Sequence, residues 1–307
     1  MRHSLLRASF IPDRTQRELR ELTRYRTSLV RERSAELNRL KKVLEGATIK
    51  LAAVTKDLMG ASARSMLATL VEGSNDVAAM AELARGRLRP KIPELEQALA
   101  GQMGAHQRFL VAEQLVPIDS LDEQIERISA EITERLRPVD QALTFLDSIP
   151  DVARRGAEIL VAEIGVDMER FPTAGHLASW AGMAPGTNES AGKRRSGKTS
   201  TGSPWLRSLL VEAAHAAGQT KDTYLGAPYR RLTGRKGRKR AAVAVGHSIL
   251  VIAYHLLLLA EPYQDLGVDY FERRNPTGPG APAFPSGQGA WLHDHPRLPC
   301  CLIPWLL

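Results

Sequence analysis

From Arg14 to Leu44 the apolar residues Leu19, Leu22, Leu29, Leu37, Leu40 and Leu44 recur at helical spacing, with Arg and Glu filling the intervals. So long a run at that period cannot lie in a strand, whose faces alternate at every second residue. It dictates one long amphipathic helix, and a helix of that length needs further helices to cover its apolar stripe. Pro12-Asp13 supply a start signal and Gly46 a stop. A second long run, His106 to Arg137, carries Ile118, Leu121, Ile125, Ile128 and Ile132 alternately three and four apart. That is a heptad seam, which supports a coiled coil or an antiparallel helical hairpin. Shorter helical segments fall at Ile49 to Met59, Ser62 to Val71, Asp76 to Arg85 and Glu94 to Ala100. The expected fold class is mostly α.

Past Pro138 a new unit opens. Leu146 to Gly165 has the shape of a helix-hairpin-helix: a Pro-containing turn, then a helix with Ala157, Leu160, Val161 and Ile164 on one side. Asp151 and Ala153 occupy the two positions where such hairpins carry glycine, and a carboxylate there repels phosphate, so the turn is expected to pack rather than to grip DNA. Thr173 is expected to cap a helix that buries Leu177 and Trp180. Ser203-Pro204 is a cap and first-turn pair for a helix with Leu206, Leu209, Leu210, Ala213, Ala214 and Ala217 on one face. Tyr224 to Leu232 reads as another short helix, and Arg235 to Arg240 (RKGRKR) as an arm ahead of the apolar run Ala241 to Ala260. That run has the length of a membrane span, but His247, Ser248 and His255 inside it favour a central helix buried all round. His247 and His255 lie eight apart, too far to share a metal as an i, i+4 pair would, and read as hydrogen-bonded core or rim histidines.

Charge narrows the partner. The 307 residues carry a net charge of +8. Between Gly186 and Arg240 stand thirteen cations against three acids, so the local excess exceeds that of the whole chain. A polyanion, nucleic acid first, is the partner such a region suits. Its DNA-contacting candidates are Lys193, Arg194, Arg195, Lys198, Arg207, Arg235, Lys236, Arg238, Lys239 and Arg240.

Within that region Ser190, followed by Ala191 and Gly192, sits beside Lys193, Arg194, Arg195 and Lys198. A serine hydroxyl is a weak nucleophile until activated, and phosphate is the electrophile that surrounding cations favour. Glycine lets backbone N–H groups approach a phosphate closely. Ser190 is therefore the candidate catalytic residue. Gly192 to Thr199, GKRRSGKT, also satisfies the phosphate-loop pattern of nucleotide hydrolases. That motif works only between a buried strand and a helix. WAGMAPGTNESA upstream offers no central strand and Ser200 to Pro204 delays the helix, so the ATPase reading is rejected.

The two cysteines, Cys300 and Cys301, are adjacent and cannot build a disulfide framework or a zinc site, which fits a reducing cytosol. MRHSLLRASF lacks the apolar core of a signal peptide. From Asn275 onward Pro and Gly dominate without a period, the composition of a disordered or non-native tail.

Long, idiosyncratic stretches then bring a family into view: RELRELTRYRTSLVRERSAELNRLKKVLE, IKLAAVTKDLMGASARSML, LARGRLRPKIPEL, AEIGVDMERFPTAGHLASWAGMAPGTNESAGKRRSGKT, WLRSLLVEAA and AVAVGHSILVIAYHLL. Over about Leu5 to Arg274 the chain resembles the transposases of the insertion-sequence one-ten family, RNA-guided recombinases of the DEDD type. The resemblance implies an N-terminal RuvC-like domain with an acidic metal-binding tetrad, a helical coiled-coil segment, and a C-terminal domain with a nucleophilic serine, here Ser190. It further implies Mg²⁺ held by the RuvC-like acids, a structured guide RNA, DNA of the element ends and target, and a homo-oligomer of dimers pairing into a tetramer. The setting it implies is the cytoplasm, at the nucleoid.

The departure from the family is at the front. The tetrad belongs ahead of the helix beginning at Arg14, where only thirteen residues stand, and Glu18, Glu21 and Glu32 read as charges on a solvated helix face. The RuvC-like α/β domain is thus expected to be essentially absent and no residue is assigned as a metal ligand. Expected divisions are 1–50, a helix following the missing domain; 51–140, helical and coiled coil; 141–263, the C-terminal transposase domain; and 264–307, an extension and out-of-frame tail. Such a fragment is expected to bind nucleic acid without completing strand transfer alone. The alternative is a basic helical nucleic-acid-binding protein with no chemistry.

Overall fold

The computed structural model describes residues 11–186, 188–190, 193–196 and 198–270, with 188–190 and 193–196 described by backbone course and pairing. The expected tail from Asn275 and the leader 1–10 lie outside the described residues. The fold is mostly α, as the periodicity requires, with one two-stranded sheet among the described residues. The chain divides into two compact units, Arg24–Thr133, and Met1–Thr23 together with Glu134–Leu307.

In the unit Arg24–Thr133, helix α1 (Arg14–Gly46) contributes Leu40 and Leu44, both essentially unexposed, as the apolar pattern dictates. Around them pack α2 (Leu51–Val54), α3 (Ala61–Glu72), α4 (Val77–Glu82), α5 (Ile92–Leu99) and the long α6 (Ala105–Leu136). Their shared core is Leu51, Met66, Leu67, Met80, Leu95, Leu99, Val111 and Ile118. Helix α2 is much shorter than the expected Ile49 to Met59 segment, because Thr55 leaves the helical region and Met59 closes a turn on the Asp57 carboxylate. Arg33 of α1 forks onto Asp122 of α6, with Nη2 2.9 Å from Oδ2. The seam of α6 is half realised: Ile118, Ile125 and Ile132 are buried, whereas Leu121 and Ile128 are only half-buried.

The other unit is organised around α12 (Arg238–Leu259), which packs on α7 (Asp140–Asp147), α9 (Ala174–Trp180), α10 (Pro204–Gln219) and α11 (Gly226–Lys236). Between α7 and α8 (Ala153–Ile164), the hairpin turn expected from sequence is present, and it is unusual. Asp151 and Ala153 hold φ of +68° and +50°, the left-handed region that glycine occupies at no cost, while Val152 between them is buried. The Asp151 carboxylate accepts from the Thr220 hydroxyl at 3.4 Å, and partial burial raises its pKa above the ordinary carboxylate range despite that bond.

Four expectations need correction here. Trp180 is not buried but 43% exposed, tilted against Phe171 with ring centroids 5.6 Å apart. Arg235 to Arg240 is not an arm: it forms the last turn of α11 and the first of α12, broken at Gly237 with φ of +82°. Nor is α12 buried all round, since Leu258 and Leu259 at its end are exposed. It has the length and apolarity of a membrane span, but more than half of its apolar window is buried inside the protein. His255 is buried with Nε2 lacking a hydrogen-bond partner, contrary to the expected hydrogen-bonded ring.

Candidate functional site: a basic hairpin and its base

Ser190 and the cations after it lie on a β-hairpin rather than in an irregular turn. Strand β1 (Asn188–Ser190) pairs antiparallel with β2 (Lys193–Ser196), Ser190 opposite Lys193 and Glu189 opposite Arg194. Asn188 stands opposite Ser196, so Arg195 is the extra residue of a bulge. Residues 193–196 run extended in β2, so GKRRSGKT is not a loop opening onto a helix and lacks the context of a phosphate loop. The side chains of Ser190, Lys193, Arg194 and Arg195 lie outside the described residues.

A ribbon of three and four residues is marginal in water on its own, so the base has to hold it. Below the strands, Pro185 bridges to Thr199 and the Gly186 N–H donates to the Lys198 carbonyl at 2.9 Å. Further down, the incoming and outgoing chains touch backbone to backbone at Gly182 and Gly202. A Cβ on Gly202 would stand 2.1 Å from the Ala181 carbonyl oxygen, and Gly182 holds φ of +69°. Only glycine meets both conditions, a close approach and a left-handed turn.

Arg207, read from sequence as a DNA contact, has partners inside the protein. Its Nη1 donates to Thr199 Oγ1 at 2.8 Å and to the Gly182 carbonyl at 3.3 Å, tying both legs of the base to the first turn of α10. The start of α10 is itself fixed. Ser203 caps it by accepting from the Leu206 N–H, and the same hydroxyl donates to the Glu163 carboxylate at 3.0 Å. Glu163 is 1% exposed. Arg20 braces this end of α8 by donating to the Ala162 carbonyl at 2.9 Å and to the Glu163 carbonyl. From α12, the His247 ring hydrogen-bonds the Met183 backbone, and burial keeps the imidazole below its ordinary basicity although that bond works the other way. Sequence reasoning missed Gly182, Gly202, Glu163 and this role of His247. The AGMAPG run was the available signal, since paired small residues mark close backbone approach.

The remaining candidates gather at the α11–α12 junction. Arg235, Lys236, Arg238, Lys239 and Arg240 are all exposed there, and Lys198 is exposed at the hairpin base. Gly246 of α12 packs against Met183 and the Leu210 carbonyl. At 1.5 Å per residue, Lys239 is therefore about 10 Å along the helix axis from the contact that anchors the hairpin base. Cations in the last turn of α11 complement its dipole, but Arg238, Lys239 and Arg240 crowd the positive end of α12, where each costs stability. Their presence is not explained by folding, and a bound polyanion relieves the repulsion.

Residues 143–230 match the family model described as Transposase IS116/IS110/IS902 family, and residues 1–49 match a model for DEDD transposases of the IS110 type, described as Transposase. A Streptomyces coelicolor protein, the "Insertion element IS110 uncharacterized 43.6 kDa protein", is 33% identical over 140 residues, which cover 39% of this chain and 34% of that relative. Two segments of the chain thus match models of IS110-family transposases. The chain thus spans about a third of the relative's length in the aligned stretch. The first IS110-type segment covers α1, and the second runs from α7 into α11, taking in the hairpin and both legs of its base. The junction cations Arg235 to Arg240 lie beyond both.

Proposed function

We propose that this chain acts in DNA transposition, its basic hairpin bringing the Ser190 hydroxyl to a DNA phosphodiester. The observation that carries the reading is the transposase match over 143–230, within which Ser190 stands opposite Lys193 at the end of the hairpin away from its braced base. In the step envisaged, Ser190 Oγ forms a bond to phosphorus while the bond from phosphorus to one deoxyribose oxygen breaks. The serine proton passes to water, and the released sugar oxygen takes one up. One phosphate diester replaces another, so rejoining to a new strand end needs no outside energy source. Lys193, Arg194 and Arg195 lower the cost of the negative charge that grows on the phosphate oxygens. Lys198 and the junction cations Arg235, Lys236, Arg238, Lys239 and Arg240 hold the flanking backbone, while Arg207 acts mainly by fixing the hairpin base.

The family resemblance adds a structured guide RNA, a homo-oligomer and Mg²⁺ to the complete system. Among the described residues no three carboxylate, imidazole or thiolate side chains converge as metal ligands, so these residues do not fit the ion and no step is routed through it. The test is direct. The complete protein that carries this chain is incubated with Mg²⁺, with duplex DNA carrying an insertion-sequence end and with RNA transcribed from the element's flank, and the products are run on a denaturing gel. A covalent protein–DNA band is expected for the wild type and for Ser196→Ala, and none for Ser190→Ala. An undiminished band from Ser190→Ala removes Ser190 from the chemistry.

A further inference from the structure

We propose that a cleft in the unit Arg24–Thr133, outside both transposase segments, binds a phosphate group through Arg108. The cleft has a volume of about 560 Å³ and is lined by Leu70, Ser74, Asn75, Met80, Gly101 and Arg108 among others, with no carboxylate in its wall. Arg108 is in the first turn of α6, and its guanidinium lies against Gly73, close enough that a Cβ there would stand 3.0 Å from Nη1. Gly73 ends α3 with φ of +93°, so the absent side chain is what lets the guanidinium settle.

Arg108 differs from the ion-paired arginines of its unit. Arg33 pairs with Asp122, Arg64 with Asp119 and Arg89 with Glu82. Arg108 has no ion-pair partner among the described residues, and its Nε is buried without any hydrogen-bond acceptor. A half-buried cation with a desolvated, unsatisfied donor is costly to keep. Solvent-facing arginines avoid the cost, so the position points to an acceptor that arrives from outside. The rigid fork of N–H donors matches two oxygens of a phosphate. Around it the wall supplies further donors: the Asn75 amide, and the Ser74 hydroxyl, which accepts from the Asp76 N–H at 3.3 Å and keeps its own hydrogen to give. The volume exceeds that of a lone phosphate several-fold and leaves room for an attached sugar. The ligand is accordingly a phosphate ester of a nucleic-acid strand, or free phosphate occupying the same donors.

The experiment uses the full chain as wild type, Arg108→Gln, Arg108→Lys and Asn75→Asp, with the exposed Arg127→Gln as a control for loss of a charge elsewhere. Inorganic phosphate binding is followed by calorimetric titration. Binding of a labelled single-stranded RNA and a DNA duplex is followed by anisotropy over a range of KCl. Arg108→Gln is expected to weaken phosphate binding at least about 5-fold, and to lower the slope of log affinity against log salt for the oligonucleotide by about 1. Arg108→Lys falls between, keeping charge but not the fork. Loss of phosphate binding with an unchanged oligonucleotide slope supports the site and identifies free phosphate as its source. Asn75→Asp, which sets a carboxylate in the cleft and leaves Arg108 in place, is expected to abolish phosphate binding even if Arg108→Gln folds poorly. Wild-type behaviour of Asn75→Asp, or equal losses from Arg108→Gln and Arg127→Gln, overturns the proposal.

Discussion

Gly202→Ala is expected to dismantle the hairpin base while leaving the helices beneath it intact. The added Cβ would stand 2.1 Å from the Ala181 carbonyl oxygen, 2.3 Å from its carbon and 2.6 Å from the Gly182 nitrogen. All three are backbone atoms, so no side-chain rotation relieves the clash, and one leg of the base must move by about 1 Å. Forced overpacking of this kind costs about 1–3 kcal/mol. Moving the leg also strains two bonds that hold the base, Arg207 to Thr199 at 2.8 Å and Gly186 to Lys198 at 2.9 Å. Each contributes about 1 kcal/mol, so with both lost the whole is about 3–5 kcal/mol. The same substitution at Gly234, in α11 with nothing within 4 Å of where a Cβ would stand, should instead gain about 0.5–1 kcal/mol from helix propensity. Urea unfolding followed by far-ultraviolet circular dichroism compares the pair, with equal m-values required before midpoints are converted. If Gly202→Ala unfolds within about 0.5 kcal/mol of the wild type while Gly234→Ala behaves as stated, the close-packed base is refuted.

Three further outcomes follow from the same structure. Ser203→Ala removes both the cap of α10 and a hydrogen bond to the buried Glu163 carboxylate, and should cost about 1–3 kcal/mol; Ser203→Asp caps equally well but repels Glu163, so a chemical-denaturation midpoint above that of Ser203→Ala counts against the pairing. Ala153→Gly relieves an L-residue at φ +50° and should raise the melting temperature by about 2 °C in calorimetry, a fall meaning the turn carries no strain. His247 and His255 are both held below their ordinary basicity by burial, so the unfolded chain binds protons that the fold refuses. Their contribution to stability is present at and above neutral pH and is lost as pH falls below about 6.5, with a slope of at most about 1.4 kcal/mol per pH unit each. His247→Gln should flatten that acid limb by one such share, and an unaltered limb excludes His247 as its source.

The helices were legible because each advertises itself locally. Leu19 to Leu44 carry the period of α1, and Thr173 and Ser203 place their side-chain oxygens on the first turns of α9 and α10 as small polar caps do. The hairpin was not legible. NES and KRRS contain no β-branched or aromatic residue, and their pairing is held by main-chain bonds and by a base assembled from residues far apart in sequence. RKGRKR read as an arm because charge was weighed above propensity, although Arg and Lys are good helix formers and only Gly237 breaks the run. Trp180 was expected inside with Leu177 on the helix that Thr173 caps, yet that helix presents it to solvent beside Phe171. Arg108 gave no signal, since an arginine on an amphipathic helix is ordinary until its missing partner is seen.

The most direct measurement is to locate the attachment point of DNA on the protein. The covalent product would be digested with nuclease and trypsin and the peptides sequenced by mass spectrometry. A residual nucleotide on Ser190, in the peptide that ends at Lys193, is the result expected. The same mass on Ser196, Thr199 or Ser200, with Ser190 unmodified, would contradict the assignment of the hairpin serine as the nucleophile.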